Sequence, residues 1–139
     1  VLDFSNMTEL TVLDRSEVTM SSSCCDVLGS TLTHCTNLKN LKIHKTVLHN
    51  CLLDLTDMMG LTDLDMSEVT LSSSCCDVLG RTLTHCTNLN NLKIHKTDLH
   101  NCLFNFCNMT ELTVLDISEI TLSSSCCDVL GRTLTHCIK

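Results

Sequence analysis

"LTDLDMSEVTL" (Leu61–Leu71) is the stretch that decides the fold. Its apolar residues stand at Leu61, Leu64, Met66 and Leu71, the pattern L-x-x-L-x-φ-x-x-x-x-φ, where φ is apolar. The pattern occurs five times. It reads "LTVLDRSEVTM" from Leu10, "LKNLKIHKTVL" from Leu38, "LNNLKIHKTDL" from Leu89 and "LTVLDISEITL" from Leu112. Only the first copy breaks it, with Arg15 at the sixth position. The starts are separated by steps of 28, 23, 28 and 23 residues, a double repeat of period 51. A fixed period of this size signals stacked units, each burying its apolar face against the next.

Working outward, the longer unit continues "SSSCCDVLGRTLTHC" from Ser72, with close copies from Ser21 and Ser123. Cys25, Leu28 and Leu32 follow i, i+3, i+7 spacing, the stripe of a helix lying on a sheet. Ser22 or Ser23 is the expected cap. Asp26, Asp77 and Asp128 are expected in the first helical turn, where the dipole favours negative charge. The shorter unit, "LHNCLLDLTDMMG" from Leu48, is too short for a long helix. It predicts a brief helical turn with Leu52, Leu55 and Met58 inward. Leu103, Phe106 and Met109 repeat this, as do Val1, Phe4 and Met7 of a cut-off copy.

These residues resemble leucine-rich repeats. The longer unit is similar to the ribonuclease-inhibitor type found also in NOD-like receptors, with Cys24 in a glycine place, Cys25 in the cysteine place, then Leu28 and Leu32. The resemblance implies an α/β solenoid: a curved parallel sheet of about five short strands on the concave side, helices and short helical turns on the convex side. It covers residues 1–139 as one solenoid. Neither end carries a cap, so the expectation is a fragment of a longer array, or ends that stack on other copies. One departure stands out. The family usually places Asn nine residues into the pattern, bonding the turn backbone. Here the position holds Val18, Thr46, Val69, Thr97 and Ile120, so that ladder is expected to break at alternate repeats.

Strand alternation sends the fixed Leu and Ile inward and the x residues to the concave face. The longer units then offer acid: Asp14, Glu17, Asp65, Glu68, Asp116 and Glu119. The shorter offer base: Lys42, His44, Lys45, Lys93, His95 and Lys96. Neighbouring strands lie about 4.8 Å apart, so two ladders of alternating charge are expected, Asp14–Lys42–Asp65–Lys93–Asp116 and Glu17–Lys45–Glu68–Lys96–Glu119. They would serve a protein partner, or satisfy one another and set register.

The bulk numbers agree with a folded module. Of 139 residues 43% are hydrophobic but only 2% aromatic, so Leu, Val, Ile, Met and Cys must fill the core. The formal charge is −7, with no basic run or aromatic platform for nucleic acid. No apolar stretch approaches a membrane span. Eleven of the twelve cysteines recur by repeat position, Cys107 standing in one repeat only; they read as buried, reduced thiols, with Cys24, Cys75 and Cys126 on the helix flank left open. No set of Cys and His has the spacing of a zinc site, and no cofactor motif is present.

The function expected is therefore a non-enzymatic protein–protein interaction module, binding a protein ligand or other domains of a parent chain. The resemblance implies the ligand-sensing repeats of a NOD-like-receptor-type innate immune protein, usually cytoplasmic. Sequons at Asn6 and Asn108 would make it extracellular if glycosylated. Two other readings stand beside this: a filament built by end-to-end self-association, and a thiol- or metal-binding protein.

Overall fold

The computed structural model describes residues 10–14, 28–30, 32–43, 45–48, 53–97 and 109–119. Each copy of the leucine pattern forms one three-residue strand: β1 (Val12–Asp14), β2 (Asn40–Lys42), β4 (Asp63–Asp65), β6 (Asn91–Lys93) and β7 (Val114–Asp116). They make one sheet in the order β1-β2-β4-β6-β7, parallel throughout. A second, two-stranded parallel sheet pairs β3 (Val47–Leu48) with β5 (Thr70–Leu71). Parallel neighbours need a crossover, and each unit supplies one by winding once around the solenoid.

Backbone hydrogen bonds stitch neighbouring coils before and after the strands. The carbonyl of Lys39 accepts from the amides of both Thr62 and Asp63, at 2.9 and 3.0 Å, and that of Thr62 accepts from Asn90 and Asn91, at 2.8 and 3.0 Å. Beyond the strands, Ile43 donates to Asp65 at 3.0 Å and Met66 to Lys93 at 2.8 Å. The buried middle residues Leu41, Leu64 and Leu92 stack in the same register.

The core is built on a spacing of three. Leu83, Cys86 and Leu89 lead into Leu92, and Leu55, Met58 and Leu61 lead into Leu64; all are buried. Successive turns explain the period: Cys86 N–H donates to Leu83 at 3.0 Å, and Leu61 N–H to Met58 at 3.1 Å. The same turn chemistry serves both units, so Cys86 in the long unit stands where Met58 stands in the short one. Each Leu buried here contributes roughly 1.5–3 kcal/mol. The expected inward positions Leu55, Met58 and Met109 are buried. Leu53 is buried too, which the spacing did not predict. Val1, Phe4, Met7, Leu52, Leu103 and Phe106 lie outside the described residues.

The long unit's helix, α1 (Ser73–Leu83), buries Cys76, Leu79 and Leu83 as the stripe predicts. Two details differ from expectation. The cap is Ser72, one residue earlier than predicted, with its hydroxyl accepting from Cys75 N–H at 3.3 Å. Starting the helix earlier moves Asp77 beyond the first turn, where it is exposed and too far in to complement the dipole. Cys75, on the helix flank, is buried together with Cys76.

Candidate functional site: the concave sheet face

The exposed face of the five-stranded sheet carries two rows of side chains. One row is Asp14, Lys42, Asp65, Lys93 and Asp116, aligned by direct strand register as expected. The other is Val12, Asn40, Asp63, Asn91 and Val114, two residues earlier on each strand. Sequence reasoning missed this second row by looking only for charge. The period of two that placed Asp14 on this face places Val12 there as well. Val12 and Val114 are 54% and 43% exposed, so the face has apolar flanks. Between them runs a groove of about 290 Å³ bordered by Asn40, Lys42, Asp65, Asn91, Lys93 and Val114.

The charges match the expected ladders at one rung, Lys96–Glu119, and otherwise behave differently. Asp65 and Asp116 are bonded to the backbone. Asp65 Oδ1 accepts from Ser67 N–H at 3.1 Å. Asp116 Oδ1 accepts from the Ser118 amide at 3.2 Å and its hydroxyl at 2.8 Å. These Ser118 hydrogen bonds hold the Asp116 carboxyl below the ordinary carboxylate range. Asp63 is likewise occupied: Thr62 Oγ1 donates to Oδ2 at 2.9 Å, and the Asn91 amide donates to Oδ1. Asp54, outside the strands in the short unit, shows the same local habit, accepting from the Thr56 amide and hydroxyl. Among the described residues the ion pairs are His95–Asp116 at 3.3 Å and Lys96–Glu119 at 3.9 Å. Lys42 and Lys93 enter neither, and both are exposed in the groove. In-register opposite charge therefore does not mean paired charge here.

The second ladder is displaced from where the sequence put it. Lys45, Glu68, Lys96 and Glu119 stand past the strand ends in turns, all left-handed, with φ of 54°, 59°, 54° and 56°. Non-glycine residues meet a steric penalty there. The turn is held from the neighbouring coil: Lys45 N–H donates to Ser67 at 2.9 Å and Glu68 N–H to His95 at 2.9 Å. Glu17, His44, Asn6 and Asn108 lie outside the described residues.

The expected break in the turn ladder is repaired from next door. Thr97 Oγ1 donates to Met66 O at 2.9 Å and accepts from Val69 N–H at 3.4 Å, both in the preceding coil. A single threonine thus serves the repeat whose own position is valine. Thr82 on α1 works the same way towards the short unit, accepting from Leu55 N–H at 3.1 Å.

The described thiols are core groups. Cys35, Cys75, Cys76 and Cys86 are buried thiols, and burial pushes Cys86 up to about 12. Among the described residues no three His, Cys, Asp or Glu side chains are grouped to hold a metal ion. Nor is any helix among them long and apolar enough to cross a membrane.

Fold and face together define a leucine-rich-repeat solenoid. No protein-family model matches the chain, and no curated protein does. Among solved structures it is similar to an internalin (inlF) from Listeria monocytogenes. The TM-score is 0.61 and the identity 19%, over 95% of this chain and 41% of that one. This chain therefore spans less than half the length of that neighbour.

Proposed function

We propose that the chain is a non-enzymatic protein-interaction module that holds a protein partner on the concave sheet face. The observation that carries this is the state of Lys42 and Lys93: two exposed ammonium groups in one groove, with Asp65 between them and Asp116 beside Lys93 each already bonded to a backbone amide. A cation whose neighbours are occupied gains more from an incoming acceptor than one already paired. Asn40 and Asn91 add hydrogen-bonding amides beside them, and Val12 and Val114 add apolar contact at the flanks.

The long unit supports the finer reading of ribonuclease-inhibitor-like repeats, as in NOD-like receptors. Its helix buries Cys76, Leu79 and Leu83 at the places that type uses. On this reading the chain is part of a ligand-sensing repeat region, and its buried reduced thiols suit a cytoplasmic setting.

The test is capture with charge-reversed bait. The bait carries Lys42→Glu with Lys93→Glu, and the control carries Arg81→Glu on the exposed face of α1. The proposal expects a partner held by the wild-type and Arg81→Glu chains and lost by the double variant. A partner lost only with Arg81→Glu would place binding on the convex side and refute it.

A further inference from the structure

The spacing of the charged stripes narrows the partner's chemistry. We infer that the groove accepts a partner α-helix whose one face alternates acidic and basic residues every turn. This deepens the concave-face reading and rests on it.

Each strand presents one sign. Lys42 on β2, Asp65 on β4 and Lys93 on β6 stand in direct register. Neighbouring strands are about 4.8 Å apart, so the two lysines are separated by about 9.6 Å with a carboxylate midway. A complementary partner must therefore place acid, base, acid in a line at those steps. In an α-helix, residues i and i+7 lie on one face about 10.5 Å apart, with i+3 or i+4 between them. The mismatch of about 0.9 Å is well within the reach of a lysine stem. An extended strand fails, because its same-face residues recur every ~6.6 Å. Polyproline II repeats a face every three residues, about 9.3 Å, with no same-face residue midway.

A second copy of this chain would match the spacing but not the shape. The groove of about 290 Å³ lies along the middle of the sheet, beside Asn40, Asn91 and Val114. Another sheet laid over it leaves that volume empty, whereas a convex rod fills it. The required helix face reads Glu, Lys, Glu at i, i+4 and i+7, with small side chains between to enter the groove.

The experiment uses the 139-residue chain and two fluorescent 21-residue peptides of identical composition, rich in alanine. One alternates Glu and Lys at steps of four and three residues. The other carries its Glu in one half and its Lys in the other. Anisotropy titrations are run at low salt, with peptide helicity and the folding of each variant checked by circular dichroism. The inference expects the alternating peptide to bind about tenfold or more tightly than the block peptide. It also expects Lys42→Ala with Lys93→Ala to remove most of that difference. Equal binding of the two peptides overturns it. If both are lost in the double variant, the concave-face reading survives and only the spacing falls. Equal binding that ignores both lysines takes down both. Concentration-dependent dimerisation with no peptide binding, seen by sedimentation, assigns the groove to a second copy and overturns the helix.

Discussion

Replacing Thr97 by Val should separate packing from hydrogen bonding in this solenoid. Thr97 is 2% exposed, so its side chain sees almost no water. Valine keeps its shape and removes the hydroxyl. Met66 C=O loses a 2.9 Å donor and Val69 N–H a 3.4 Å acceptor, both in the adjacent coil. A buried backbone group left without its partner costs about 1–3 kcal/mol. The 3.4 Å bond is long, so its loss belongs at the low end of that range. The sum is about 2–4 kcal/mol, or a change of roughly 30- to 900-fold in the folding equilibrium. Thr97→Ser is the control: it keeps the hydroxyl and gives up one methyl, about 1 kcal/mol. Urea unfolding followed by circular dichroism should therefore rank wild type above Ser above Val. Repeats can open locally, so amide exchange at Val69 provides a site-specific check and should accelerate in the Val variant. If Thr97→Val equals or exceeds Thr97→Ser in stability, the cross-repeat bridge is not what holds this turn.

Three other outcomes follow from the same geometry. Glu68→Gly should be neutral or stabilising by up to about 1 kcal/mol, against the usual sign for glycine, because relief of left-handed strain outweighs added unfolded-state freedom; a loss above that amount would show the turn is unstrained. Cys86 should resist iodoacetamide at pH 8 in the folded chain and react once urea is added, since burial pushes it up to about 12; labelling at the rate of an exposed thiol would contradict its place in the core. Asp116 titrates below its ordinary value of 3.8, chiefly through Ser118. Its folded pKa is depressed, so the stability it adds is present above that ordinary value and fades as pH falls through the folded one. Nuclear magnetic resonance titration should show Asp116 protonating at lower pH in wild type than in Ser118→Ala, and identical midpoints would remove the Ser118 contribution.

Much of this fold was legible in one line of sequence. The residues at Leu61, Leu64 and Met66 are inward because strand alternation and a fixed period leave no other arrangement, and the same period put Lys42, Asp65 and Lys93 in register. What stayed hidden depends on groups that side-chain pattern alone does not weigh. The left-handed turn at Lys45, Glu68 and Lys96 is held by amides bonding to the next coil, against the preference of these residues. Lys42 and Lys93 enter no ion pair among the described residues, while Asp65 and Asp116 each bind an amide two residues on. That habit was readable, since Asp-x-Ser is a known turn chemistry. Alternation of Thr with Val and Ile at the turn position also held a clue: a donor in every second coil can serve two. The Ser72 cap could not be chosen from three adjacent serines without the helix geometry.

Binding on the concave face through Lys42 and Lys93 has a direct signature in solution. The most direct test is a chemical-shift map of the isotope-labelled chain, titrated with the protein that it captures. Perturbations clustered at Asn40, Lys42, Asp65, Asn91, Lys93 and Val114 are the predicted result. Perturbations confined to α1, with the strand residues unmoved, would contradict it.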